Sequence, residues 1–401
     1  MNRYGRITPE GTKDYLFEEC MLRRRIERKL AEAFEARCFH EVMTPGFEFY
    51  DVFDPDFSGI PQEVMFKMTD RRGRLLVMRP DNTLSIARLT ATRLQNLPKP
   101  VRLYYAQPVY RNNPGLNGRS NENLQMGIEL LGAGGLRADL EALAAAVEAL
   151  NGCVPGYRLE LGHAGFFREL ARRLPVPEET REAIRSAAEA KNDAALSALL
   201  APLGDTAEVR AIRALPRLFG GEEVFERAAE YCTGSLAETL GYLRGVYRLL
   251  AGYGLGDRLI VDLGLVQRND YYTGVVFSAY VEECGDAVLL GGRYDALLEH
   301  FRLPMPAVGF GVDVDAIARS LSRRNGARPA EPARVLVHGE TGFETKALRH
   351  AETLAAQGVR CETSVFETEP EALAYARAAG IRRVDLVGAA VRTVAADGGR
   401  P

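Results

Sequence analysis

The chain has 401 residues and a mass of 44.1 kDa, which is enough for two or three domains with substantial cores. Its 51 basic and 54 acidic residues give a net charge of −3, which argues against a surface that binds nucleic acid or membranes through charge alone. Hydrophobic residues make up 46% and charged residues 26%, so a disordered or fibrous chain is excluded.

The six cysteines are spread along the chain, with no CxxC pair and no histidine cluster at metal-ligand spacing. They are Cys20, Cys38, Cys153, Cys232, Cys284 and Cys361. This spacing argues against a zinc site or a disulfide framework and favours a reducing compartment. The amino terminus lacks the apolar stretch of a signal peptide, and no run of about 18 apolar residues occurs. We therefore expect a cytoplasmic protein without a metal or cofactor.

The first elements along the chain are a helix and a strand. An apolar residue recurs every four positions from Leu22 to Phe34 with charges between, which predicts an amphipathic helix over residues 17–37. The alternating segment 39–53 is rich in Val, Phe and Tyr, and it predicts a strand that is interrupted at Pro45.

Further strands follow. Residues 64–82 predict a hairpin that turns at Arg72-Gly73, and a helix is expected over 83–93. Two more strands are predicted at 101–111 and 123–132. A helix followed by several strands of antiparallel character indicates the α+β class.

The composition changes to Ala, Glu, Arg and Leu between about residues 165 and 250, which predicts a mostly helical insertion. Strands are expected again at 258–264, 271–282 and 287–295. The predicted domains are therefore residues 1–321, a linker of Gly, Pro and charged residues at 322–333, and a C-terminal module at 334–401. Strands and helices alternate in that module, which predicts a small α/β unit with parallel strands.

Six segments stand in a fixed order: TPGFE at 44–48, MRPDNT at 78–83, YAQPVYR through NLQMGIELLG at 105–132, NDYYTGVVF at 269–277, GGRYD at 291–295 and PAVGFGVDVD at 306–315. They resemble motif 1, the Arg-Pro-Glu-x-Thr segment, motif 2, two histidine-specific signatures and the entry to motif 3 of class II aminoacyl-tRNA synthetases, specifically the histidyl-tRNA synthetase group. The resemblance spans about residues 8–320. It implies an antiparallel sheet flanked by helices and a dimer formed through the motif 1 region.

The resemblance also implies a histidine site. Histidine carries an ammonium that needs acceptors, a carboxylate suited to an arginine fork, and an imidazole that needs hydrogen-bond partners. The matching positions are Asp81, Thr83 and Gln125 for the ammonium, Arg111 for the carboxylate, and Glu129, Tyr272 and Tyr294 for the imidazole. Asp81 stands where the family has Glu, so its reach is shorter.

The positions that hold ATP in the synthetases carry other residues. Asn113 replaces the acid that reads adenine, Asn123 the aromatic that stacks on it, Asn121 a loop arginine, Gln267 an arginine at the reacting carboxylate, and Ala316 the motif 3 arginine. Only Arg111 and Arg119 remain of the set that binds phosphates, whose charge arginine compensates.

Retained histidine contacts beside altered ATP contacts resemble the regulatory subunits of ATP phosphoribosyltransferase, a catalytically silent paralogue group of the synthetase. The segment LGHAGFF at 161–167 is similar to a turn of that group. The resemblance implies a subunit that a short-form catalytic subunit needs in the first step of histidine biosynthesis, feedback inhibition by histidine, and a hetero-oligomer of four and four subunits.

Two alternatives remain open. The first is a divergent histidyl-tRNA synthetase in which Arg268 compensates for Gln267, and the second is a synthetase-like binding module with another amino-acid ligand or a structural role. In the C-terminal module the arginines alternate with acids, so no basic stripe could follow a phosphate backbone and tRNA is not an expected partner.

Overall fold

The computed structural model describes residues 4–113, 120–265, 271–325 and 334–396. The chain divides into two compact units, residues 1–325 and 326–401. Of the predicted linker, residues 326–333 lie outside the described residues.

The described α-helices are α1 (Phe17–Ala36), α2 (Pro55–Ser58), α3 (Asn82–Arg93), α4 (Leu136–Cys153), α5 (Ala164–Arg172), α6 (Glu178–Glu189), α7 (Asp193–Leu200), α8 (Ala207–Ala214), α9 (Glu223–Ala229), α10 (Ser235–Leu250), α11 (Val314–Asn325), α12 (Glu344–Ala356) and α13 (Glu369–Ala378). None of the helices in these ranges is long and apolar enough to cross a membrane.

The described strands are β1 (His40–Glu41), β2 (Phe47–Phe49), β3 (Lys67–Thr69), β4 (Leu75–Met78), β5 (Val101–Tyr110), β6 (Glu122–Leu131), β7 (Arg158–His163), β8 (Phe219–Gly220), β9 (Leu259–Asp262), β10 (Val275–Tyr280), β11 (Leu289–Arg293), β12 (Ala307–Asp313), β13 (Arg334–Gly339), β14 (Arg360–Thr363), β15 (Arg383–Val387) and β16 (Val391–Ala395).

The first helix is confirmed, and its apolar stripe is buried at Ile26, Leu30 and Phe34. The single interrupted strand predicted for 39–53 is wrong. It becomes β1 and β2, which belong to different sheets, and a 3-10 turn at Tyr50–Phe53. The interruption at Pro45 is therefore a change of sheet.

The hairpin of β3 and β4 is confirmed, with Thr69 paired to Leu75. Asp70 stabilises the turn because its Oδ1 accepts hydrogen bonds from the backbone N–H groups of Arg72 and Arg74 at 2.8 and 2.9 Å. Gly73 has φ +75°, a left-handed conformation that glycine adopts without strain.

A large sheet organises the first unit. Its described strands lie in the order β1-β5-β6-β12-β11-β10-β7-β9-β8, and neighbours are antiparallel except for β1 with β5 and β7 with β9. This is the predicted α+β class II synthetase-like architecture, with short parallel contacts towards both ends of the sheet.

The two faces of this sheet contact different parts of the protein, because successive side chains of a strand point to opposite sides. On β6, Met126 and Ile128 lie in the main hydrophobic core with α1, α4 and the helical insertion. Gln125, Gly127 and Glu129 alternate with them and face the other side. A second hydrophobic cluster with residues of α3 lies next to this opposite face.

The insertion after β7 is helical as predicted, from α5 to α10, apart from the two-residue strand β8. His163 begins α5 as its N-cap and accepts a hydrogen bond from the Gly165 N–H at 3.1 Å. Burial lowers the pKa of His163 to about 4, so it serves as a neutral structural residue.

In the second unit β14, β13 and β15 are parallel, as predicted, and α12 and α13 are the connecting helices. The sequence reasoning missed β16, which pairs antiparallel with β15. Its side chains are exposed or half-buried, so the strand carries no clear alternation of buried and exposed positions.

Candidate ligand-binding site

A cavity of about 170 Å³ opens on the face of the large sheet that carries Gln125 and Glu129. Its walls come from the start of α3 and from β5, β6, β11 and β12. Six of the seven predicted ligand contacts line it: Asp81, Thr83, Arg111, Gln125, Tyr272 and Tyr294. The volume is below the roughly 300 to 1,000 Å³ of pockets for drug-sized ligands, and it suits an amino acid.

Glycines clear the floor of this cavity. A Cβ on Gly309 would overlap Glu129 Oε2, and one on Gly311 would lie 2.5 Å from Gln125 Nε2. A Cβ on Gly127 would lie 2.6 Å from the Tyr105 hydroxyl. Because real Cβ atoms do not approach other atoms this closely, glycine at these three positions leaves room for the polar side chains that line the cavity.

The seventh predicted residue, Glu129, lies at the closed end and is 1% exposed. Thr83 Oγ1 donates a hydrogen bond to its Oε1 at 2.7 Å, and the Tyr294 hydroxyl donates to its Oε2. Burial raises the pKa of Glu129 to about 8, although both hydrogen bonds oppose the shift. The closed end therefore holds a carboxyl group that can carry a proton at neutral pH.

Three tyrosine rings pack around this end. Tyr271 lies 4.8 Å from Tyr272 and 5.8 Å from Tyr294, measured between ring centroids. Burial raises the pKa of Tyr271 and Tyr294 well above the usual value, so their hydroxyls stay neutral. A flat ring bound at this end would pack against the faces of the tyrosine rings and could contact the Glu129 carboxyl group.

The sequence reasoning missed Tyr105 and Tyr271, which also line the cavity. The period of two on β5 could have identified Tyr105, because it pairs with Gly127 between the two predicted contacts of β6. The predicted strand 271–282 includes Tyr271, but β10 begins four residues later, at Val275, so a period of two along the strand does not place Tyr271 in the cavity.

Asp81 and Arg111 form the wall beside α3. Asp81 begins the helix as its N-cap, with Oδ1 accepting from the Leu84 N–H at 3.2 Å. Its Oδ2 lies 4.0 Å from Arg111 Nη2. Burial raises the pKa of Asp81, while the arginine opposes this shift. Arg111 Nε donates to the Pro80 carbonyl at 2.9 Å, which fixes the guanidinium at the rim.

The open end of the cavity is acidic and apolar. Asp313 lies on the same face of β12 as Gly309 and Gly311 and lines this end together with Leu290. Its Oδ1 accepts from the Ala316 N–H at 2.7 Å, and burial raises its pKa. A carboxyl group here offers acceptors where a phosphate would need donors.

The three asparagines at the altered ATP positions bind the backbone. The Asn113 N–H donates to Asn121 Oδ1 at 3.0 Å, and the side-chain amides of Asn113 and Asn123 donate to the Ser120 carbonyl at 2.8 and 3.3 Å. The backbone N–H of Asn121 donates to the Gly11 carbonyl at 2.7 Å. These contacts join the two ends of the 111–121 loop to the amino-terminal segment.

Ala316, at the position of the motif 3 arginine, is buried. Arg119, Gln267 and Arg268 lie outside the described residues.

Comparison with known proteins identifies the family of the chain. The sequence profile of the histidyl-tRNA synthetase family matches residues 11–317. An ATP phosphoribosyltransferase regulatory subunit of Clostridium botulinum is 36% identical, covering 95% of this chain and 92% of that protein. One from Clostridium kluyveri is also 36% identical, covering 95% and 99%. The chain belongs to the family of ATP phosphoribosyltransferase regulatory subunits.

Solved structures support the fold of this regulatory-subunit family. A crystal structure described as an ATP phosphoribosyltransferase regulatory subunit/histidyl-tRNA synthetase from Bacillus halodurans matches with a TM-score of 0.83 and 28% identity, over 94% of this chain and 97% of that one. A histidyl-tRNA synthetase from a Nostoc species matches with a TM-score of 0.76 and 20% identity, over 98% and 97%, which shows a common fold.

Proposed function

We propose that the chain is a non-catalytic subunit that binds histidine and regulates a short-form ATP phosphoribosyltransferase. In this role it is required for activity of the catalytic subunit in the first step of histidine biosynthesis and inhibits it when histidine is bound. The names of the relatives from Clostridium support the regulatory role.

The observation that carries the choice of histidine is the closed end of the cavity. Glu129, with a pKa of about 8, can share one proton with an imidazole, whose own pKa is about 6.5. Tyr272 and Tyr294 would pack on the ring. An aliphatic side chain would leave the buried carboxyl group without a third partner, which is costly.

The remaining groups of histidine have partners in the same cavity. Asp81 and Thr83 supply acceptors for the ammonium, and the Arg111 guanidinium suits the carboxylate. Gln125 lines the same cavity and completes the proposed site as a further partner of the ammonium.

Two features support a subunit without synthetase chemistry. Activation of an amino acid by ATP needs positive charge around the phosphates, but the open end carries Asp313. Asn113, Asn121 and Asn123 engage the backbone of their own loop. Both features disfavour a bound nucleotide.

An apolar surface supports self-association through the motif 1 region. Phe47 is 53% exposed and lies with Phe49 on the outer face of the sheet of β2, β4 and β3. Leu76 and Met78, paired with these two residues, extend the same face. Apolar surface of this kind marks protein contacts, and we propose a dimer here within a larger complex with the catalytic subunit.

The charges of the second unit argue against tRNA as a partner. Arg383 pairs with Asp385 at 2.8 Å, and Arg392 pairs with Glu369 at 2.9 Å. Arginines neutralised by neighbouring acids have little to offer a phosphate backbone.

Reconstitution tests the proposal. The purified chain and the short-form catalytic subunit of the same organism are mixed, and formation of phosphoribosyl-ATP is followed with and without histidine. We expect activity only in the mixture, and inhibition by histidine. A catalytic subunit that works equally well alone and ignores histidine would refute the proposal.

A divergent histidyl-tRNA synthetase is the second candidate, favoured by the family match over residues 11–317. Histidine-dependent exchange of pyrophosphate into ATP distinguishes the two. We expect no exchange above background, because the open end of the cavity is acidic.

A further inference from the structure

A chain of buried side-chain amides leads from the loop between β1 and β2 to the ligand cavity. It runs through Gln107 on β5 and Asn82 at the start of α3, and it ends at Gln125 on β6. Gln107 is 4% exposed and Asn82 is fully buried, so water does not compete for their hydrogen bonds.

The first amide is oriented by two groups that can only donate. Gln107 Oε1 accepts from the backbone N–H of Thr44 at 2.7 Å and from Arg79 Nη1 at 3.2 Å. Because neither group can accept a hydrogen bond, the oxygen of Gln107 must face them. Arg79 is itself held by the carbonyls of Thr44, Pro45 and Pro108 at 2.8 to 3.1 Å.

The second amide, that of Asn82, is oriented by its contacts with Gln107. Gln107 Nε2 faces Asn82 Oδ1 at 3.5 Å, and Asn82 Nδ2 faces the backbone carbonyl of Gln107 at 3.4 Å. A carbonyl oxygen can only accept, so the nitrogen of Asn82 must lie on that side. The same nitrogen donates to Gln125 Oε1 at 3.0 Å.

Gln125 is thereby left with one orientation. Its oxygen is directed to Asn82, and its Nε2 lies over Gly311, where a Cβ would come within 2.5 Å. Within the described residues we find no hydrogen-bond acceptor for this nitrogen. Gln125 therefore offers an N–H donor to the cavity.

We propose that Arg79, Gln107 and Asn82 are positioning residues that fix the amide of Gln125, so that its N–H donates to the carboxylate of the bound ligand. This inference rests on the proposed function, in which the ligand is histidine. Gln125 would then join Arg111 at the carboxylate, and it would not serve as an acceptor for the ammonium. The carboxylate has acceptor sites to spare beyond an arginine fork.

Paired titrations of the full chain test this assignment. Histidine and histidinol, which lacks the carboxylate, are titrated calorimetrically into the wild type, Gln125→Glu and Gln107→Glu. In Gln107→Glu the carboxylate has no N–H for Asn82, and it is a stronger acceptor than the backbone carbonyl that Asn82 Nδ2 faces at 3.4 Å. We therefore expect the Asn82 nitrogen to turn towards the carboxylate, and Gln125 to turn in response and present its oxygen to the cavity. We expect both variants to bind histidine about 10- to 150-fold more weakly, as for a lost hydrogen bond to a charged group.

The affinity for histidinol distinguishes a positioning role from a general loss of structure, which would weaken the binding of both ligands. In Gln107→Glu, whose changed side chain does not line the cavity, the affinity for histidinol should change less than about threefold, because the lost donor has no carboxylate to contact. Gln95→Glu, an amide-to-acid change at an exposed position, is the matched control and should bind both ligands as the wild type does.

A measurement without ligand separates this proposal from the proposed function. With ¹⁵N-labelled Asn and Gln, hydrogen exchange of the Gln125 side-chain amide should be fast in the free wild type and slow in Gln107→Glu, where that amide faces Asn82. If Gln107→Glu does not fold, Asn82→Asp makes the same test, since its acceptor-only side chain also draws the Gln125 nitrogen inward.

Equal losses of histidine and histidinol affinity, or unchanged exchange of the Gln125 amide, would overturn the relay. A wild-type protein that gives no heat with histidine would refute the proposed ligand, and the exchange experiment would still decide the orientation of Gln125.

Discussion

Glu129→Gln separates the structural effect of the buried carboxyl group from its effect on the ligand. In the folded protein the pKa of Glu129 is about 8, against about 4.5 in an unfolded chain. Between these values the folded state holds more protons than the unfolded state, so the free energy of unfolding falls as the pH rises. The slope reaches about 1.4 kcal/mol per pH unit, and the total cost at pH 9 is at most on the order of 5 kcal/mol.

Glutamine fills the same space and stays neutral at every pH, so the variant avoids this cost. Without ligand, we expect the melting temperature of Glu129→Gln to exceed that of the wild type by an amount that grows from pH 5 to about pH 8 and then levels off. The gain should be negligible below pH 4.5, where the wild-type carboxyl group is protonated in both states. Thermal denaturation across this pH range measures the difference directly.

Glu129→Gln should raise the stability of the protein but weaken the binding of histidine. In the proposed complex the wild type shares one proton between Glu129 and the imidazole, a charge-assisted contact that the variant lacks. We expect the dissociation constant for histidine to rise about 10- to 150-fold in Glu129→Gln at pH 7. Above pH 8 the wild type must take up a proton to bind, so its advantage should shrink about tenfold per pH unit.

Free histidine ionises in the same way in the experiments with both proteins. The ratio of the two dissociation constants therefore reports only the ionisation of Glu129. Calorimetry at pH 6 to 10 gives this ratio. A ratio that is independent of pH, together with a melting difference that does not grow with pH, would refute the reasoning, because Glu129 would then be ionised in the empty cavity.

Three further changes test other parts of the structure. Gly309→Ala should abolish histidine binding, because the new Cβ would overlap Glu129 Oε2; calorimetry checks this, and Gly241→Ala, which meets nothing within 4 Å, is the control. Phe47→Asp should convert dimers to monomers in sedimentation, whereas Lys67→Asp on β3, which pairs with β4 and not with β2, should not. Glu129→Ala should leave co-elution with the catalytic subunit intact but remove inhibition by histidine in the activity assay.

The parts of the fold that sequence could predict are those with a regular period or an unambiguous turn. The apolar repeat of α1 and the alternation on β5 and β6 each determine a buried face, and Gly73 identifies a tight turn. The strand β16 lacks such a pattern because its side chains are largely accessible to solvent.

The site is a different problem. The resemblance to the synthetases supplied six of the residues that line the cavity, together with Glu129 at its closed end. It could not supply the relay through Gln107 and Asn82, which depends on three separate segments meeting at hydrogen-bonding distance. Neither could it show that Gly309 and Gly311 clear the floor, since a glycine in a strand more often signals a bulge.

The polarity of the cavity follows from how its two ends are built on the same strands. At the closed end Glu129 is buried among tyrosine side chains, and burial raises its pKa to about 8. The carboxyl group therefore stays protonated at neutral pH unless a basic group binds beside it. Asp313 places a carboxyl group on the lining of the cavity, where a nucleotide would require positive charge. The proposed ligand, a small zwitterion with a basic ring, suits these two ends better than a polyphosphate would.

In the proposed non-catalytic role, the binding energy of histidine is not spent on a chemical step, so it is available to shift the equilibrium between two states of a complex. The size of that shift is limited by the difference in affinity for histidine between the states. If both states lose the Glu129 contact equally, Glu129→Gln should raise the dissociation constant for histidine and the histidine concentration for half-maximal inhibition by the same factor, which the activity assay and calorimetry measure.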